Sequence, residues 1–165
     1  MIILGIDPGF AIVGYGVIEY TGNRFKVLEY GAVTTPAHTD MFERFKTIYD
    51  EICDIIERVK PDVMAIEELF FNSNQKTAIN VAQARGIIIL GAINNGVEVY
   101  EYTPLQVKQA VVGYGRAEKT QIQQMVKALL KLEKIPKPDD TADALAIAIC
   151  HAHSGTAKLI GGTIK

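Results

Sequence analysis

MIILGIDPGFAIVGYGVIEY, residues 1–20, runs from an apolar stretch into a lone acid, a proline and a glycine, then becomes apolar again. Residues 2–6 read as a buried strand that ends on Asp7. Aspartate is a poor strand former and is costly to desolvate unless something cationic compensates it. Asp7 therefore either opens a turn with Pro8-Gly9 or stands at a strand's edge to bind a cation. Residues 13–18 and 25–30 are further β-rich runs, joined by the turn signal Thr21-Gly22-Asn23. Three consecutive strands in an antiparallel meander are predicted.

The hydrophobic period then changes. Phe45, Ile48, Ile52, Ile55, Ile56 and Val59 recur every three or four residues, predicting an amphipathic helix capped by Thr39 or Asp40 and ended by Pro61. Residues 63–66 fit a buried strand reached by that helical crossover. Residues 76–94 predict a helix apolar over much of its surface, which belongs in the core or against another subunit. Residues 97–102 make a fifth strand. Thr103-Pro104 is a cap with a first-turn proline, opening a helix to about 112. Further helices are predicted near 117–131 and 139–153. The predicted fold class is α/β: a five-stranded mixed sheet, three strands antiparallel and two further ones parallel, flanked by helices in one domain over 1–153. Residues 154–165 are predicted to be a flexible tail.

Composition narrows the function classes. Of 165 residues, 48% are hydrophobic and 22% charged, which speaks against disorder. No apolar run reaches the length of a membrane span, and the first residues lack a signal-peptide pattern, so a cytoplasmic protein is expected. Cys53 and Cys150 are isolated and read as buried thiols. The net charge of −2 hides an uneven distribution: residues 1–75 carry 6 Lys/Arg against 12 Asp/Glu, and residues 76–131 carry 7 against 3. A local basic face is a better guide to an anionic partner than the total.

Three places set acids where a purely structural role is uncomfortable. Asp7 ends the first strand, Glu67 and Glu68 end the fourth, and Asp139, Asp140 and Asp143 open the last helix. Each has an ordinary explanation as turn, strand end or helix cap. If the first and fourth strands are parallel neighbours, however, their terminal acids sit side by side, and Asp140 and Asp143 share a helix face. Converging carboxylates repel unless a cation compensates them, and an all-oxygen set suits Mg²⁺ or Mn²⁺. Two such ions roughly 4 Å apart serve phosphodiester hydrolysis.

The segments GIDPG, AIEELFF, NVAQARGIII, TPLQVKQAVVGYGRAEKTQIQ and DDTADALAIAICHAH resemble the RuvC family of bacterial Holliday-junction resolvases, over nearly the whole chain. The resemblance implies a ribonuclease-H-like fold, a homodimer, and Mg²⁺-dependent paired nicking of four-way DNA junctions, with two metal ions per site and Mn²⁺ as a substitute. It also implies coupling to a branch-migration helicase of the RuvA–RuvB type. Matched motif to motif, the family's catalytic and metal-binding acids fall on Asp7, Glu67, Asp140 and Asp143, leaving Glu68 a bystander and Asp139 the helix cap. Lys108 and Lys119 match basic positions near the active site, and Phe70 matches an aromatic that stacks on an unpaired base. Arg116, Lys76 and Arg85 would extend the basic face. A two-fold dimer presents two equivalent sites to two equivalent strands, and the apolar helix 76–94 is the candidate interface.

His151 and His153 lie about 12–15 Å beyond Asp143 along the last helix, too far to share its ion, so a helix-end role is expected. Two alternatives stand beside this reading. One is the actin-like and sugar-kinase ATPase fold, which also opens on a strand ending in an Asp-Gly turn but needs two domains. The other is a junction-binding protein without catalysis, which four intact acids speak against. The shorter YqgF-type relatives lack the QARG and QVKQ block.

Overall fold

Strands β1 (Ile2–Asp7), β2 (Ile12–Thr21), β3 (Arg24–Thr34), β4 (Val63–Glu67) and β5 (Glu98–Tyr102) form one sheet in the order β3-β2-β1-β4-β5. The computed structural model describes residues 1–69 and 75–154, with backbone alone for 75 and 76. The tail 154–165 lies, but for Ser154, outside the described residues. β1 pairs antiparallel with β2, and β2 with β3, so the predicted meander forms. Gly22 and Asn23 adopt φ of 55° and 62°, the left-handed pair that a tight hairpin turn requires. β1, β4 and β5 run parallel, joined by helical crossovers.

Helix α1 (Met41–Val59) starts at Asp40, whose carboxylate accepts from the Phe42 N–H at 2.8 Å, resolving the choice of cap. Its buried stripe is Ile48, Ile52, Ile55 and Ile56, spaced as one helix face. Each such side chain contributes about 1.5–3 kcal/mol on burial. α1 and α2 (Gln75–Asn94) cover one side of the sheet, packing on Leu4, Ile6, Met64 and Ile66.

Helices α3 (Pro104–Val112), α4 (Lys119–Leu129) and α5 (Asp139–Ser154) cover the other side, over Ile3, Ile18, Val63 and Ala65. Thr103 and Gln106 form a reciprocal capping box ahead of Pro104. α4 is shorter than predicted at both ends, because Glu118 is its N-cap, with Ala117 before it, and Leu130 closes it. Helix α5 is apolar almost all round and nearly wholly buried from Thr141 to Ala152.

Two sequence expectations change here. His151 does not serve as an exposed charge at a helix end: it is buried, bonded through Nδ1 to the Tyr102 hydroxyl at 2.8 Å, and burial lowers its pKa. His153 does lie at the exposed end, with Nδ1 3.1 Å from the Ala110 carbonyl. Cys150 is buried as expected, whereas Cys53 is half-buried beside Asn95.

Candidate active site

Strand alternation decides which way each acid faces. Ile3 and Gly5 of β1 look toward α5 while Leu4 and Ile6 look toward α1 and α2, so Asp7 shares the α5 side. Val63 and Ala65 of β4 also lie on the α5 side, and Glu67 follows them. β4 runs parallel to β1 with Ile66 opposite Ile6, which brings Asp7 and Glu67 to the same end of adjacent strands. Glu68, one residue on, has the opposite parity and is exposed.

α5 reaches this corner because β1 and β2 present glycines to it at Gly5, Gly14 and Gly16. Gly5 stands opposite Gly16, and Gly14 opposite Asp7. A Cβ at Gly14 would collide with the backbone of Asp140, one at Gly5 with the Ala144 carbonyl, and one at Gly16 with Leu145. The helix therefore rests its backbone on the strands. Its first turn, with Asp140 and Asp143 one turn apart, is set against the end of β1. The Thr141 hydroxyl donates to the Gly31 carbonyl at 3.1 Å and ties the same turn to β3.

The electrostatics register this convergence. Burial pushes the Asp7 carboxyl up to about 8, helped by the charges of Glu67, Asp143 and Asp140 and opposed by Lys119. Glu67 is raised by burial and by Asp143, again against Lys119. Asp143 is raised mainly by burial, although Lys119 donates to it and favours its charged form. The Lys119 ammonium lies 2.9 Å from Asp143 and 3.7 Å from Asp139. Burial alone would lower the lysine pKa, but the surrounding carboxylates raise it. One ammonium against four acids leaves the site short of positive charge.

That deficit suits a divalent cation. Among the described residues no three acids, histidines or cysteines stand together closely enough to hold a metal ion by themselves. Mg²⁺ usually binds through one or two carboxylates, with water and substrate phosphate completing its octahedron. An open, all-carboxylate corner fits that habit better than a closed cage.

The remaining predicted residues are placed unequally. Lys108 is half-buried on α3 and Arg116 is exposed between α3 and α4; neither forms an ion pair with the four acids. Phe70, Phe71 and the side chain of Lys76 lie outside the described residues. Arg85 does not extend a basic face. It turns inward, its guanidinium pairs with Glu101, and its Nε donates to the Glu67 carbonyl at 3.1 Å. Asp139 is the first residue of α5 and not the cap before it; its carboxylate accepts from Lys137 at 2.5 Å. Sequence reasoning overlooked the glycines under α5, although the pattern Gly14-x-Gly16 opposite Gly5 was there to be read.

The chain is similar to known proteins over nearly its whole length. The family model described as "Crossover junction endodeoxyribonuclease RuvC" matches residues 3–151. A protein of that name from Alkaliphilus oremlandii is 68% identical over 155 residues, covering 94% of each chain. Its namesake from Clostridioides difficile is 62% identical over 166 residues, covering 98% of each. The structure of T. thermophilus RuvC in complex with Holliday junction substrate superposes with a TM-score of 0.92 at 37% identity, covering 97% of this chain and 99% of that one. The sheet order and its flanking helices are those of the ribonuclease-H-like fold, and the ATPase alternative falls away. With matches of this extent, the chain belongs to the RuvC family of crossover junction endodeoxyribonucleases.

Proposed function

We propose that this chain resolves four-way DNA junctions by paired, symmetric phosphodiester nicks, with Asp7, Glu67, Asp140 and Asp143 as both its catalytic and its metal-binding residues. The observation that carries the reading is the Asp7 carboxyl. It is pushed up to about 8 by burial and by the three other acids, in a chain of this family. Such a group is stable as a carboxylate beside a cation and poorly stable without one. The four acids would hold two Mg²⁺ ions, with Mn²⁺ able to replace them. When bound, these supply an activated water and stabilise the leaving oxygen.

The chain's own residues do the rest. Asp7 and Glu67, on adjacent strands, define a rigid floor, and α5 carries Asp140 and Asp143 over it. Lys119 holds Asp143 in place and faces the scissile phosphate as a local positive charge. Lys108, Arg116 and Lys76 hold the DNA backbone, and Phe70 stacks on an unpaired base. Two sites act on one junction because the protein works as a homodimer. The exposed Ile79, Leu90 and Ile93 lie along one face of α2 and form its interface. The partner supplying the junction is a branch-migration helicase of the RuvA–RuvB type, and the reaction belongs to the cytoplasm. No helix among the described residues is long and apolar enough to cross a membrane.

The direct test is cleavage of a synthetic four-way junction with Mg²⁺ and with EDTA, beside a linear duplex of the same sequence. Two symmetric nicks, dependent on Mg²⁺ and absent from the duplex, are expected; equal cutting of both DNAs would refute junction selectivity. Lys119→Ala is expected to slow cutting by about 10²-fold. It should also reduce the slope of log affinity against log salt by about 1. An unchanged slope in a filter-binding series would remove Lys119 from the DNA interface.

A further inference from the structure

We infer that Arg85 is a positioning residue for Glu67, holding the end of the strand on which that acid stands; the inference rests on the role assigned to Glu67 above. Arg85 projects from α2, on the sheet face opposite α5. Its Nε donates to the main-chain carbonyl of Glu67 at 3.1 Å, while its guanidinium pairs with Glu101 of β5. Glu101 stands across the ladder from Ile66, and the next residue, Tyr102, pairs with Glu67 itself. One side chain thereby joins α2, β4 and β5 at the last residue of β4. The arrangement is sheltered: the Arg85 side chain is 15% exposed and that of Glu101 is 30% exposed.

The chemistry favours arginine here. A carbonyl at the end of a strand is left to water unless another group donates to it. A charged donor in a half-buried setting makes a stronger bond than a neutral one, and the extended guanidinium can donate from Nε while its outer end lies against a carboxylate. Glu101, with the charge of Glu68 nearby, keeps the guanidinium from being a buried unpaired charge. The strand end carrying Glu67 is then clamped from the face away from the active site, and the carboxylate is left to face α5. Lysine would preserve the charge and the pair with Glu101, but its compact ammonium lacks the fork that reaches the carbonyl as well.

The experiment compares wild type, Arg85→Lys and Arg85→Ala, each as the full chain. Four quantities are measured: single-turnover junction cleavage across an Mg²⁺ series, junction affinity in EDTA, Mn²⁺ binding to the DNA-free protein by calorimetry, and thermal unfolding. For Arg85→Lys, cutting is expected to slow and Mn²⁺ affinity to fall by about 10-fold or more. The Mg²⁺ needed for half-maximal cutting should rise, with junction affinity and unfolding midpoint close to wild type. A purely structural role would lower the midpoint without moving the metal dependence. The inference is overturned if folded Arg85→Lys cuts and binds Mn²⁺ as wild type does, or if its loss of rate matches its unfolded fraction. Should Arg85→Ala fail to fold, the lysine variant still decides the matter. A wild-type protein unable to cut junctions would sink the functional reading and this inference together, whereas normal cutting by both proteins would sink the inference alone.

Discussion

Asp7→Asn leaves a folded protein that binds junctions within a few-fold of wild type and no longer cuts them. The expected loss is about 10³-fold or more, because several kcal/mol of transition-state charge stabilisation depend on the ligand set and each 1.4 kcal/mol is a factor of ten. The same substitution has a second signature that does not involve DNA. Asp7 has a pKa of about 8 in the folded chain against an ordinary value of 3.8. Between those values the folded state keeps a proton that the unfolded state has released. The stability from this group is therefore full at low pH and lost as pH rises through about 8, at up to about 1.4 kcal/mol per unit. In EDTA at pH 8, Asp7→Asn should raise the unfolding midpoint by several degrees and flatten the pH dependence between about pH 4 and pH 8. Added Mg²⁺ should stabilise wild type and leave the variant unmoved. A variant that cut at the normal rate, or showed the wild-type pH slope in EDTA, would break the assignment.

Gly14→Ala is expected to be nearly as damaging, although it adds a single methyl group. That methyl would meet the Asp140 backbone, and neither β2, held between β1 and β3, nor the buried helix has room to give. Overpacking of this kind costs about 1–3 kcal/mol, and backbone contacts place this case at the upper end. The relief available is for the first turn of α5 to lift away from β2, carrying Asp140 and Asp143 off Asp7. The variant should thus lose cutting by far more than its fraction unfolded explains. Asp7, freed from two neighbours, should also titrate lower, closer to an ordinary carboxylate. Gly91→Ala is the matched control, since a Cβ there faces α1 at ordinary contact distances, none under 3.5 Å, and stands off the proposed dimer face of α2. Equal cutting by the two variants, compared at equal folded fraction, would show that the seating of α5 does not govern the site.

Local pattern carried much of this molecule. The apolar run over 2–6, the β-rich run over 13–18, the turn at Thr21-Gly22-Asn23, the period of the α1 isoleucines and the Thr103-Pro104 cap each encode an element within a few residues of chain, so each could be read without knowing its neighbours. Asp7 stood out for the same reason: a costly residue at the end of an apolar run demands compensation. The motif resemblance then named its companions.

Long-range placement was beyond such patterns. Nothing within five residues of Arg85 distinguishes a DNA-facing cation from one buried against Glu101, because the difference is set by a strand that returns sixteen residues later. His151 looked like a helix-end charge until Tyr102 closed over it. The separation of Glu67 from Glu68 in space comes from pleat parity against a neighbouring strand, and the approach of α5 comes from glycines on two strands acting as one surface. Residue order therefore singled out the candidate acids, since the cost of burying a carboxylate is intrinsic, while packing assigned their partners, since contact across a sheet depends on register and has no local trace.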